Sequence, residues 1–157
     1  MQKIGQISKI RRYPVKGMAG ETLDQIRIRF TGLTGDRAYA YWNKDRPASF
    51  PWVTSRITPK ILLYQPRYLN PHDPLEEYSQ KLEYPLEVKT PDGSHLSITD
   101  PQFTDYISKD LGLPCELRFS EAGMFDSRPV SFVGPATLNE LHRSSPECKK
   151  ENFDLRF

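Results

Sequence analysis

The run Tyr13-Pro14-Val15-Lys16-Gly17-Met18-Ala19-Gly20-Glu21 sets one lysine on a loop that a proline stiffens and two glycines open. Further along, Gly35-Asp36-Arg37 delivers an acid and an arginine from a second glycine turn. Glycine lets a backbone approach a ligand closely, and a lysine and an arginine that converge suit an anionic group such as a phosphate. Ser55-Arg56 supplies a third candidate cation, while Lys60 reads as a surface residue. By composition alone Lys16 is an exposed loop lysine and Asp36-Arg37 a structural ion pair. The setting of Lys16 between Pro14 and two glycines adds weight to ligand contact. The spacing Gly17-Met18-Ala19-Gly20 is not a P-loop, which needs Gly-Lys-Ser/Thr entering a helix.

Other chemistries have less support. Cys115 lies in an apolar strand-like run and reads as a small buried hydrophobe. Cys148 has charged neighbours, Glu147, Lys149 and Lys150, but no His or Asn that places it as a nucleophile. Paired or free, the two cysteines form no CxxC motif. Together with an N-terminus that lacks a signal segment, they point to a reducing, cytoplasmic setting. Three scattered histidines argue against zinc. Tyr39, Tyr41 and Trp42 are read as strand aromatics of a core in preference to a stacking platform for bases.

The charge is uneven. Residues 1–67 carry thirteen Lys and Arg against four acids, a net of +9; residues 68–157 carry nine against sixteen, a net of −7. A basic N-terminal portion concentrates anions around the candidate loop. The acidic remainder opposes a polyanion, so a nucleic-acid-binding barrel ranks last among the readings. No apolar stretch reaches the roughly 18 residues that span a bilayer.

The elements that must position these residues are mostly short strands, as 14 prolines in 157 residues suggest. Ile4, Ile7 and Ile10 outline a first strand. Ile26, Ile28 and Phe30 alternate as a half-buried strand with Arg27 and Arg29 facing water. Thr31 to Gly35 turns it into an aromatic strand, Ala38 to Trp42. Asn43 to Pro47 reads as a turn, Val53-Thr54 as a short strand, and Ile61 to Tyr64 as another. The proline-broken stretch from Pro66 to Pro85 reads mostly as loop. Residues 86–90 and 95–98 flank Pro91-Asp92-Gly93-Ser94 as a hairpin. Asp100 caps a helix that begins at Pro101 and stops at Gly112, with Phe103, Tyr106, Ile107 and Leu111 at helical spacing. Strands at Cys115–Phe119 and Val130–Val133, a helix opened by Gly134-Pro135, and a last strand from Asn152 complete the reading. The class is mainly β with some α (α+β): a barrel-like meander, a hairpin and two helices.

Tyr13-Pro14-Val15-Lys16-Gly17 followed by Gly32-Leu33-Thr34-Gly35-Asp36-Arg37 resembles the N-terminal β-barrel of MOSC-domain proteins. That family is related to the C-terminal part of molybdenum cofactor sulfurases and to the amidoxime-reducing component. The resemblance extends through Ser55-Arg56-Ile57-Thr58-Pro59-Lys60, Leu111-Gly112-Leu113-Pro114 and Phe125-Asp126-Ser127-Arg128-Pro129. It implies a barrel over residues 1–99 and the helical opening of a MOSC domain over 100–157. It further implies a molybdopterin-type molybdenum cofactor, with Lys16, Gly17, Arg37 and Arg56 at the family's cofactor-binding positions. A small-molecule substrate, N-hydroxylated or related, and a redox partner protein follow from the same likeness. The family's molybdenum-ligating cysteine belongs beyond Phe157, so the chain is expected to bind cofactor without turning over substrate by itself. The rival expectation is a non-enzymatic barrel module that binds a small phosphorylated ligand or a partner protein. An unfinished strand edge at the C-terminus also invites a homodimer.

Overall fold

The computed structural model describes residues 5–69 and 86–147. Contacts divide the chain into two compact units, residues 1–125 and 126–157. In the first unit, β1 (Ile10–Arg12) pairs with β2 (Glu21–Leu23) across the Lys16 loop, Arg12 opposite Glu21. The short hairpin of β3 (Ile28–Arg29) and β4 (Gly32–Leu33) leads into β5 (Tyr39–Asn43). A 3-10 turn, Pro59–Leu63, precedes a three-stranded sheet of β6 (Gln65–Tyr68), β7 (Leu86–Lys89) and β8 (His95–Ser97) in that order. Helix α1 (Pro101–Leu111) then returns the chain to β9 (Cys115–Phe119), which pairs antiparallel with β5 from Tyr39↔Phe119 to Asn43↔Cys115.

Local chemistry accounts for the best-defined parts. The Asp100 side chain accepts a hydrogen bond from Gln102 N at 2.9 Å, and Pro101 occupies the first turn, where its missing N–H costs nothing. Gly112 stops α1 in the left-handed region at φ 66°, with Leu113 N bonding back to Ser108 O. Phe103 and Ile107, one helical turn apart, are fully buried; the Phe103 ring packs on Tyr41 and Tyr64, and Val15, Met18, Val53, Ile61, Val88 and Ile98 belong to the same core. The α+β class expected from the sequence is the class observed.

Several expected elements differ. Ile4 lies outside the described residues, Ile7 is exposed, and the first strand is only Ile10–Arg12. Ile28 and Phe30, expected on a half-buried face, are 63% and 106% exposed on a hairpin whose strands, among the described residues, pair only with each other. Alternation defines a face; it does not supply anything to cover it. Val53-Thr54 forms no strand; Trp52 makes a single bridge to Trp42. Ile61 to Tyr64 is a 3-10 turn entered through Pro59 and closed by Tyr64 N on Ile61 O, since a short apolar run has no period that separates the two states. Strand β6 runs through Pro66, expected as loop, because it is an edge strand where an absent N–H breaks no ladder. The remainder of that stretch, residues 70–85, lies outside the described residues, as does the strand expected from Asn152.

In the second unit, α2 (Pro135–Ser144) starts with proline in its first turn and carries an Arg143–Glu140 ion pair of 2.8 Å. It buries no residue, and Val130–Val133 is not a strand.

Candidate anion-binding site

The Lys16 loop and the Arg37 turn are laced together by backbone. Arg37 N donates to Tyr13 O at 2.6 Å, Tyr39 N to Pro14 O at 3.1 Å, and Lys16 N to Tyr39 O at 2.8 Å, with Val15 bridged in parallel to Tyr39. Met18 N closes the loop on Val15 O at 3.2 Å, and Ala19 N anchors it to Tyr64 O at 3.0 Å. Asp36, 4% exposed, ties both segments with one carboxylate. Its Oδ1 accepts from Tyr13 N at 2.6 Å and its Oδ2 pairs with Arg37 Nη1 at 3.1 Å. Burial pushes the Asp36 carboxyl upward, while Arg37 and the Tyr13 N–H pull it back. Arg37 itself holds φ at +49°, a left-handed conformation that disfavours a Cβ and collects at functional sites.

A second buried pair supports the Arg37 turn from behind. Arg12 Nε donates to Glu21 Oε1 at 2.7 Å and Nη1 donates to Thr34 O at 3.1 Å; the guanidinium lies 4.5 Å from the centre of the Tyr68 ring. Tyr68 OH in turn donates to Gly35 O at 2.9 Å. Burial raises the Glu21 carboxyl, with Arg12 opposing the shift. Burial likewise pushes the Tyr68 phenol well up, so it stays a hydrogen-bond donor at neutral pH.

The two principal cations reach adjacent residues. Lys16 is 6% exposed; its Nζ donates to Met124 O at 2.9 Å and sits 5.6 Å from the Trp52 ring centre. The Arg37 guanidinium lies 5.2 Å from the ring of Phe125, the next residue, and 5.7 Å from that of Tyr13. Gly17, at φ +88°, holds the loop against the backbone of residues 53–54, where a Cβ would stand 2.8 Å from Val53 O. Arg56 is exposed on the turn that follows, in which Ile57 N and Thr58 N both donate to Thr54 O. The three cations therefore stand on three neighbouring segments. Lys60, expected at the surface, is 45% exposed along its side chain but is bound to Asp110 at 2.6 Å.

Sequence reasoning missed the roles of Arg12, Tyr68, Trp52 and the turn at Met124-Phe125. An arginine in a run of two carries no mark of burial, and Met124 lies 108 residues from Lys16. The Asp36–Arg37 ion pair, which the sequence offered as the alternative to anion contact by Arg37, is formed. Tyr39 and Tyr41, at 5% and 0% exposed, pack in the core as expected, and so does Cys115, whose thiol burial pushes upward.

The first unit is a small α+β fold whose loop and turn set Lys16 against Met124 O and Arg37 against the Phe125 ring. The chain belongs to the MOSC N-terminal beta barrel domain family, whose family model matches residues 4–112. Neither a curated protein nor a solved structure matches it.

Proposed function

We propose that the chain forms the molybdopterin-binding wall of a MOSC-type molybdenum-dependent oxidoreductase acting on N-hydroxylated or related compounds. Family membership over residues 4–112 supports the cofactor class. The observation that carries the reading is that Lys16 and Arg37 reach consecutive residues of one turn, Met124 and Phe125. A single phosphate taking the place of those groups would meet an ammonium and a planar guanidinium together. When bound, the cofactor supplies the redox chemistry at its metal; the protein's part is binding and orientation. Lys16 and Arg37 neutralise the phosphate, Arg56 adds charge at the rim, and Gly17 lets the loop lie close to Val53. Asp36 keeps the loop and the turn in register.

Cys115 does not fit as a metal ligand. It is 4% exposed on a paired strand, and burial favours its neutral thiol. A second reading, a non-enzymatic module for a small phosphorylated ligand, rests on the same two cations, Lys16 and Arg37. The test is the pterin and molybdenum content of the full chain produced in cells that make the cofactor. Lys16→Gln and Arg37→Gln are each expected to lower pterin retention about tenfold or more, the loss of one charge-assisted hydrogen bond. Undiminished loading in both variants removes the proposed roles. Phosphate binding without pterin retention favours the module.

A further inference from the structure

The turn Ser120-Glu121-Ala122-Gly123-Met124-Phe125 holds both cations of the candidate site. It leaves β9 with Ser120 N on Ala38 O at 2.9 Å, closes with Gly123 N on Ser120 O at 3.1 Å, and returns with Met124 N on Arg37 O at 2.9 Å. Its Met124 carbonyl then accepts from Lys16 Nζ, and its Phe125 ring faces the Arg37 guanidinium. Gly123 adopts φ +81°, and a Cβ there would collide with the Phe125 ring and stand 3.0 Å from Asp36 O. The cleft beside it, lined by Thr34, Asp36, Glu121 and Phe125 among others, measures about 10 Å³, room for about one water.

We infer that this turn is a built-in competitor that closes the site and sets its specificity, admitting dianionic phosphate monoesters over monoanionic carboxylates. The inference rests on the anion-binding reading above. A ligand must displace a carbonyl from Lys16 and an aromatic face from Arg37. A neutral ligand replaces them with nothing stronger. A charged acceptor makes hydrogen bonds roughly twice as strong as neutral ones. A phosphate monoester brings close to two negative charges to the two cations, and a carboxylate brings one.

The experiment titrates the full 157-residue chain with phenyl phosphate and with acetate by isothermal calorimetry. Phe125→Leu removes the aromatic face but keeps apolar packing; Gly123→Ala displaces the turn by the collision described. Both are expected to raise phenyl phosphate affinity, Phe125→Leu about two- to fivefold. Both narrow the preference over acetate, and Lys16→Gln weakens binding in each background. Suppose the turn variants bind no better than the parent while Lys16→Gln still weakens binding: the competitor is then overturned and the anion site stands. If neither the parent nor either turn variant binds phenyl phosphate, the site reading fails and the competitor with it.

Discussion

The corner formed by the Lys16 loop and the Arg37 turn keeps its charges inside, whereas the side formed by the β7–β8 turn and α1 keeps them near water. At the corner, Arg12, Lys16 and Asp36 are all at most 6% exposed, and burial raises the carboxyls of Asp36 and Glu21 despite their cationic partners. On the other side, Asp92 Oδ1 accepts from Thr90 Oγ1 at 2.6 Å and from Ser94 N at 3.0 Å, and its Oδ2 from Tyr106 OH at 2.9 Å. Those bonds hold its carboxyl well below the usual range. Burial alone would raise Asp110, but hydrogen bonds from Lys60 and Tyr64 and the Lys60 charge bring it below its ordinary value. Both regions use charge to tie segments together. At the corner desolvation outweighs the pairing, whereas at Asp92 and Asp110 the hydrogen bonds and the Lys60 charge outweigh it. Buried charge is weak evidence for stability, so the two regions need separate tests.

The largest expected effect tests whether the corner pair is as desolvated as it looks. Arg12→Ala leaves Glu21 buried without its cation, and Thr34 O and the Tyr68 ring without their donor. Urea unfolding should show a loss of about 3–5 kcal/mol. The double replacement Arg12→Met with Glu21→Leu should recover most of it, because it removes the uncompensated charge. A loss below about 1 kcal/mol for the single variant would mean that water reaches the pair, as at an exposed ion pair, and the contrast between the regions would disappear.

A smaller effect sharpens the contrast from the other side. Asp100→Ala removes the cap that receives Gln102 N, at a cost of about 1 kcal/mol in urea unfolding. Phenyl phosphate titration of this variant should match the parent, since α1 supplies no residue to the corner. A cap variant that weakened phosphate binding by more than its stability loss would mean that the two regions are energetically coupled and do not divide their roles.

The two regions were also unequally legible. Asp100-Pro101 and Gly112 bracket α1 because caps and stops are local chemistry, written within four residues of where they act. Pro91-Asp92-Gly93-Ser94 marks its hairpin for the same reason. At the corner, Lys16, Gly17 and Arg37 were legible as residue types in suggestive loops. Their partners were not, because Met124 and Phe125 arrive through the pairing of β5 with β9, strands far apart in the chain. Burial was the other hidden quantity. Alternation at Ile26, Ile28 and Phe30 looked like a covered face, yet Ile28 and Phe30 stand exposed, while Arg12 is buried between Glu21, Thr34 and Tyr68. Pattern reports the period of a segment, and only tertiary contacts decide which side of it meets water.

The smallest effects carry the clearest sign. Asp92 and Asp110 have folded-state values below their unfolded ones, so their stabilisation is present above about pH 4 and is lost as the pH falls through the folded values. Asp36 and Glu21 have folded-state values above the unfolded ones. There the folded chain binds protons more tightly, so their contribution favours folding most below the unfolded values and declines as the pH rises through the folded ones. Urea midpoints collected from about pH 2 to pH 7 should therefore show opposing arms. Asp92→Asn or Asp110→Asn should flatten the acid arm. Asp36→Asn should flatten the decline at higher pH while keeping an acceptor for Tyr13 N, so that its midpoint approaches the parent's at low pH and departs from it only above the unfolded value. If Asp36→Asn instead flattens the acid arm, the Arg37 pairing outweighs burial at the corner, and the two regions obey one electrostatic rule after all.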